Sequence, residues 1–555
     1  MQISLLGSAA LALASPQTRP DAPTSIHYDV SFDNAVHHEA RIEATWRDVG
    51  AAPLRLQMSR SSPGRYAIHE FAKNVYSVSA RDGQGRPLAL TRTDPYGWSV
   101  AGHDGTVTVA YTLFGDRADG TYAQIDATHA HLNMPATFLW ATGFDERPIR
   151  VRFRPYDPSW KIATQLPATR EPNSFWAPNL QYFLDSPTEL SDHMLREWQV
   201  ADGARRATIR IALHHDGSAQ DADIFAAKAK KVVAQQIALF GDTPDFDYGR
   251  YTFLADYLPH VSGDGMEHRN STVISNTRSL RAADFAQLGT LSHEFFHAWN
   301  VERLRPAELE PFDFTRANPT PSLWFAEGFT NYYGPLTIRR AGESSVDAFL
   351  RNMGGALDNI VNSPARGYGS PQEMSLRAPF VDAAESIDPT NPNIFASYYT
   401  YGQVIALGLD LTLRQRFPGV TLDDYMRHLW RTHGVPEKSY TPDDLRAGLA
   451  AVTRDPAFAQ AFFARTIMGS EVPDFAPLLA QAGLTLRPRA PGAAWLGPAS
   501  FEAASPGATL GSATLADNSA PGTPLYAAGV ERGDRIVSIG GAPVTGAADW
   551  TRLLA

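Results

Sequence analysis

No cysteine occurs among the 555 residues. Disulfides are excluded, and so is any zinc site with thiolate ligands. A metal in this chain must rest on histidine and carboxylates. A basic surplus is missing too: 49 Lys and Arg stand against 59 Asp and Glu, a formal net charge of −10. That balance, with no long basic run, argues against a nucleic-acid or anionic-membrane partner. Long apolar runs are also absent. The stretch Ile3 to Ala14 is too short to span a bilayer, and no other segment is long and apolar enough. Ala12-Leu13-Ala14 before Ser15 fits a small-residue cleavage site, so residues 1–14 read as an export signal, although a positive n-region is missing. The expected location is therefore periplasmic or secreted.

What is present is enough apolar material, 43% of the residues, to build several cores. The length alone suggests about three to four domains. From Ile26 to about Val200 the apolar residues alternate, as in Ile26, Tyr28, Val30 and Phe32, or Val107, Val109, Tyr111 and Leu113. Turn signals such as Ser62-Pro63-Gly64 separate these runs, so residues 24–202 read as an antiparallel β-domain, in form a sandwich. The pair His129 and His131 reads there as a local polar network, not a metal site. After Ala207 the period changes. A strand (208–213), a helix (221–240) and three neighbouring strands (251–258, 265–268, 272–274) precede a helical stretch from Ala282 to Asn300. Residues 205–340 are the expected catalytic domain and 341–486 a helical domain. Residues 490–555, rich in Gly, Pro, Ala and Ser, are the expected terminal β-module.

The segment Ser292-His-Glu-Phe-Phe-His-Ala-Trp-Asn300 contains H-E-x-x-H. On a helix, positions i and i+4 share a face, so His293 and His297 reach one Zn²⁺ together. Glu294 lies one residue further round and faces a water on the metal. Zinc lowers the pKa of such a water to about 7, and the carboxylate takes its proton as the water attacks a carbonyl. The bland alternative is two surface histidines on an amphipathic helix.

A catalytic zinc needs a third protein ligand and an open position. The metzincin pattern requires Gly at Asn300 and His at Arg303, and is excluded. The best candidate is Glu327, in Leu323-Trp-Phe-Ala-Glu-Gly-Phe-Thr-Asn-Tyr-Tyr333. A carboxylate amid Trp324, Phe325 and Phe329 is expensive to bury unless it meets a cation; an interior ion pair is the alternative. Glu302, Glu308 and Glu310 sit in a Pro-containing polar stretch and read as solvated. Asn331, one turn after Glu327, is placed to hydrogen-bond a ligand imidazole.

Four segments together resemble the M61 family of gluzincin peptidases, the glycyl aminopeptidases: Gly265-Met-Glu-His268, SHEFFHAWN (292–300), WFAEGFTNYY (324–333) and Ser397-Tyr-Tyr-Thr-Tyr-Gly402. The resemblance extends into the N-terminal region through SRSSPGRYAIHEFAKNVY (59–76), GTYAQIDATHAHLNMPATFLWATG (120–143) and FWAPNLQYFLDSPTEL (175–190). It implies a multidomain α+β protein: a β-domain, a thermolysin-like zinc catalytic domain, a helical domain and often a C-terminal PDZ domain. It implies one Zn²⁺ held by His293, His297 and Glu327. It also implies that Glu267 binds the free α-amine of a peptide, with His268 standing where related enzymes have Asn. A Tyr of a Y-x-K-G motif would hydrogen-bond the oxyanion. Here Tyr399 matches that Tyr and Tyr401 replaces the Lys, which leaves Tyr398, Tyr399 and Tyr401 in contention.

Near the C-terminus, Leu525-Tyr-Ala-Ala-Gly-Val-Glu-Arg-Gly-Asp-Arg-Ile-Val-Ser-Ile-Gly-Gly541 resembles a bacterial PDZ domain, with Ala494-Trp-Leu-Gly497 as its carboxylate-binding loop. The pattern stops at Ala555 short of the last expected strand, so an incomplete PDZ-like domain is expected. The leading expectation is an exported zinc aminopeptidase acting on peptides with a free N-terminus. The family resemblance adds a preference for Gly or Ala. The alternatives are a PDZ-assisted metalloendopeptidase and a non-catalytic peptide-binding scaffold, against which the intact Glu294 argues.

Overall fold

The computed structural model describes residues 24–202, 205–381, 391–488, 490–503 and 513–554; the expected export signal lies outside them. The chain divides into two compact units, one of residues up to Ser62 with Glu70–His193, the other of Pro63–His69 with Met194 onward. Residues 63–69 thus belong with the second unit, although their neighbours in sequence belong to the first.

The first unit is built from the alternating runs. Ile26, Tyr28, Val30, Val107, Val109, Tyr111 and Leu113 are all buried. They lie on a six-stranded sheet that is antiparallel except where Ile26–Ser31 runs parallel to Ile149–Arg154. Two four-stranded sheets complete the unit. His129 is bonded to Thr128 and paired with Asp126, and His131 faces the buried Glu189 at 3.4 Å. Both histidines sit within local polar networks.

The second unit centres on a five-stranded sheet. Strand β1 (Met194–Asp202), which the alternating pattern had joined to the first domain, pairs with β2 (Arg205–His215). Helix α1 (Ala219–Phe240) leads to β3 (Arg250–Tyr257), β4 (Asp264–His268) and β5 (Ser271–Ser275). The order is β1-β2-β3-β5-β4, with β2, β3 and β5 parallel and β4 antiparallel at the edge. Helix α1 forms because Phe225, Ala229, Val232, Val233 and Leu239 recur at helical spacing and bury against the sheet. A Ser218–Asp221 capping box opens it and Gly241, at φ 82°, closes it. Such a cap contributes about 0.5–2 kcal/mol.

Three further helices hold the chemistry: α2 (Leu288–Phe296), α3 (Leu323–Arg340) and α4 (Tyr398–Arg416). The first is shorter than the apolar spacing from Ala282 suggests. Asp284 and Phe285 have φ of 50° and 59°, so residues before Leu288 turn instead of winding into the helix. The rest of the described residues between 346 and 480 are mainly helical, and among the described residues no helix is long and apolar enough to cross a membrane. The terminal segment forms a short hairpin (Ser538–Ile539 with Ala542–Pro543) and a helix (Ala547–Leu554), with Phe501 packed edge-on to Trp550.

Candidate active site

Helix α2 is pinned before it presents any ligand. Ser292 donates to the Gly334 carbonyl, and Gln236 of α1 donates to the Ser292 carbonyl at 2.7 Å. These buried polar ties join α1, α2 and α3 in an otherwise apolar core. From this base His293 and His297 project one turn apart, their Nε2 atoms 3.1 Å from each other. Glu327 of α3 brings its Oε2 to 3.4 Å from His293 Nε2 and 3.3 Å from His297 Nε2. Tetrahedral zinc with bonds of about 2.0–2.1 Å has ligand-to-ligand edges of roughly 3.3 Å. The three atoms therefore form a triangle of the size zinc requires. Glu327 Oε2 is buried and receives no well-formed hydrogen bond, which further fits a cation at the triangle's centre.

The imidazoles are oriented from behind. His297 Nδ1 lies 2.6 Å from the Asn300 carbonyl, which leaves Nε2 as the atom turned to the triangle. The Asn300 side chain donates to the carbonyls of Phe325 and Ala326, so one residue links the end of α2 to the turn of α3 that carries Glu327. Nothing in the sequence marked Asn300 for this task. The Asn331 side chain is within hydrogen-bond reach of His293. Burial lowers the His293 pKa and keeps the ring neutral, although Glu327 opposes this. Burial likewise works against charge on His297, but Glu327 and Glu267 outweigh it and hold that ring up at about 10. A cation in the triangle would replace that proton. Burial would raise Glu327, yet His297 and His293 hold it well below the usual carboxylate range. At 17% exposure, His293 is the open side of the triangle; His297 and Glu327 are closed off at 1% and 2%.

Glu294 and Glu267 lie beside this triangle. Their carboxylate oxygens and a His297 ring nitrogen are all within 4.8 Å of one another. The Glu294 carboxylate lies over Gly265, where any β-carbon would stand 2.1 Å from its Oε1. Glycine at 265 is thus what lets the edge strand approach α2. Burial raises the Glu294 pKa well above the usual range, with Glu267 and Glu327 adding to the effect and His297 opposing it. Glu267 is pushed up to about 8, first by burial. His268 is fully buried, and strand alternation turns it to the face opposite Glu267. Glu302, which reads as solvated from sequence, is buried just beyond α2 with Arg305 at 3.8 Å, whereas Glu308 and Glu310 are exposed.

The three clustered tyrosines separate in space. Tyr401 is wholly buried in the core, with its hydroxyl 3.4 Å from the Ser470 carbonyl. Tyr398 is buried against Tyr66 and Tyr399. Tyr399 alone of the three is only half-buried, its ring 6.2 Å from that of His293. Residues 63–69 add a group the sequence did not single out: the Tyr66 hydroxyl donates to Glu327 Oε1. Burial and the neighbouring Glu327 raise the Tyr66 pKa well above the usual tyrosine range, so the phenol remains a donor.

A helix carrying H-E-x-x-H, completed by a glutamate from the next long helix, defines a zinc metallopeptidase of the gluzincin type. The model of the M61 N-terminal domain matches residues 27–192, that of M61 glycyl aminopeptidase residues 286–405, and a PDZ domain model residues 517–555. The chain belongs to the M61 peptidase family. In fold it is similar to an aminopeptidase N family protein from Idiomarina loihiensis, with a TM-score of 0.78, 24% identity, and coverage of 95% of this chain and 91% of that one. An M1 zinc metallopeptidase from Deinococcus radiodurans aligns over 81% of this chain and 94% of its own, at 15% identity and a TM-score of 0.46. No curated protein sequence matches the chain.

Proposed function

We propose that this peptidase is a zinc aminopeptidase that hydrolyses the first peptide bond of peptides, with small N-terminal residues, Gly or Ala, preferred. The observation that carries the reading is Glu267, a buried carboxylate on the edge strand beside Glu294 and His297. Such a group has a use when a cationic α-amine meets it. The small-residue preference rests on the family alone.

His293, His297 and Glu327 would hold the metal. When bound, zinc supplies Lewis-acid polarisation of the scissile carbonyl and acidifies a water. Glu294 takes the proton of the attacking water, a role its raised proton affinity favours, and returns it to the departing amine. Tyr399, half-buried beside His293, donates to the carbonyl oxygen as it becomes anionic. Glu267 holds the α-amine and so sets which bond reaches the reacting groups. Asn300 and Asn331 keep the two imidazoles in place.

The PDZ module supports a second reading, in which protein tails are delivered to the site and cleaved internally. In either case we infer from the apolar leader pattern that the enzyme works in the periplasm or outside the cell. The deciding experiment is a panel of aminoacyl and N-blocked peptide substrates, assayed with and without chelator. Chelator-sensitive cleavage confined to free amines supports the aminopeptidase. Equal cleavage of blocked peptides supports the endopeptidase.

A further inference from the structure

Residues 64–66 lie against three parts of the site at once. Gly64 has φ +76°, and a β-carbon there would stand 2.5 Å from Met266 Cγ and 3.0 Å from Glu267 Oε2. Arg65 is nearly buried and pairs with Asp264, while its Nη1 donates to the Gly265 carbonyl at 3.4 Å. Tyr66 donates to Glu327 Oε1, leaving Oε2 turned to the two imidazoles. The Tyr66 ring is 3% exposed and packs edge-on against Tyr398 at 6.0 Å, among Val301, Leu323 and Ala326. The three consecutive residues therefore touch the amine-anchor carboxylate, the backbone of its strand, and the third metal ligand.

We propose that residues 64–66 form a positioning strap, in which Tyr66 sets the orientation of Glu327 toward the metal and Arg65 sets the edge strand that carries Glu267. The proposal rests on the zinc aminopeptidase reading. A carboxylate has two oxygens and rotates about its last bond. The phenol engages one oxygen and so holds the other at the apex facing His293 and His297. Arg65 works on a different object. Its ion pair with Asp264 and its bond to the Gly265 carbonyl fix the start of β4, from which Glu267 projects three residues after Asp264. The strap thereby joins two tasks, holding metal and placing the substrate amine, through adjacent side chains with separable effects.

The test compares Tyr66→Phe, Arg65→Gln and Tyr425→Phe with wild type. Tyr425→Phe removes a similar buried phenol bond, made to the Leu445 carbonyl and to none of the residues of the metal triangle or the edge strand. Zinc affinity is read by chelator competition, cobalt-substituted protein by visible absorption, and kinetics on an alanyl substrate and its N-acetylated counterpart. Tyr66→Phe is expected to weaken zinc binding about 10–100-fold and to change the cobalt spectrum. Arg65→Gln is expected to leave zinc affinity unchanged and to raise KM for the free-amine substrate with little change in kcat. Tyr425→Phe changes none of these. Unchanged zinc affinity in folded Tyr66→Phe overturns the proposal, as does equal weakening in Tyr425→Phe or parallel losses in both strap variants. If Tyr66→Phe does not fold, the Arg65 arm decides, and an unchanged KM overturns it. Failure of wild type itself to bind zinc refutes the reading beneath the proposal and is distinguishable from all of these outcomes.

Discussion

Gly402 and Gly328 meet backbone to backbone: a β-carbon on Gly402 would stand 2.7 Å from the Gly328 α-carbon and 1.9 Å from the Trp324 carbonyl oxygen. Helices α3 and α4 cross at this point. Glu327 is the residue before Gly328, and Tyr398 and Tyr399 lie one turn before Gly402, so the crossing brings Glu327 and the two tyrosines to the same place.

Gly402→Ala therefore forces the two helices apart. Overpacking of this kind costs about 1–3 kcal/mol, and more where backbone must move. The expected outcome is a lower unfolding midpoint together with reduced zinc content, read by thermal unfolding and metal analysis. A variant that melts like wild type with full zinc shows that the crossing does not set the site.

Much of the fold could be read from alternation and helical spacing, because burial on one face imposes both periods. Ile26, Tyr28 and Val30, or Phe225, Ala229 and Val232, are core residues for that reason. The H-E-x-x-H spacing is local geometry and was equally legible. Glu327 stood out because a carboxylate among Trp324, Phe325 and Phe329 needs a partner. What escaped depends on contacts distant in sequence. Ser62-Pro63-Gly64 read as a turn signal between strands, and only the folded chain shows that Tyr66, two residues on, meets Glu327, 261 residues away. Asn300 read as a reason to exclude one class of site, while its bonds to residues 325 and 326 have no local signature. Gly328 and Gly402 are informative only as a pair. The choice among three tyrosines turned on which side of α4 faces the core.

Glu294→Gln is expected to keep fold and metal while losing most turnover. The amide nearly matches the carboxylate in shape but cannot take the proton of the attacking water. General-base contributions run about 10²–10⁴ in rate. The measurement is kcat beside zinc content; near-normal turnover with zinc present refutes the role.

Tyr399→Phe should lower kcat more than it raises KM, since the phenol matters mainly once the carbonyl oxygen becomes anionic. Loss of one such donor typically costs roughly 10²–10³ in rate. Tyr401→Phe should act on stability instead, because that ring is enclosed in the core. Steady-state kinetics and thermal unfolding of both variants separate the two. A large kcat loss confined to Tyr401→Phe transfers the role to that residue.

The Glu267 prediction decides between removal of the first residue and internal cleavage. Glu267 is 5% exposed on the edge strand, and burial pushes its pKa up to about 8. A carboxyl so disfavoured as an anion is strongly stabilised by an incoming cation. The α-ammonium of a peptide supplies that cation and forms a charge-assisted hydrogen bond. With the amine held there, only the first peptide bond can reach Glu294 and the metal ligands. Glu267→Ala should therefore damage cleavage of a glycyl or alanyl substrate far more than cleavage of its N-acetylated counterpart, which never used the contact. Wild type should already prefer the free amine strongly. The check is kcat/KM for both substrates in both proteins. If wild type cleaves the acetylated peptide equally well and the variant loses both activities alike, Glu267 supports the site without anchoring an amine, and the endopeptidase reading replaces the aminopeptidase.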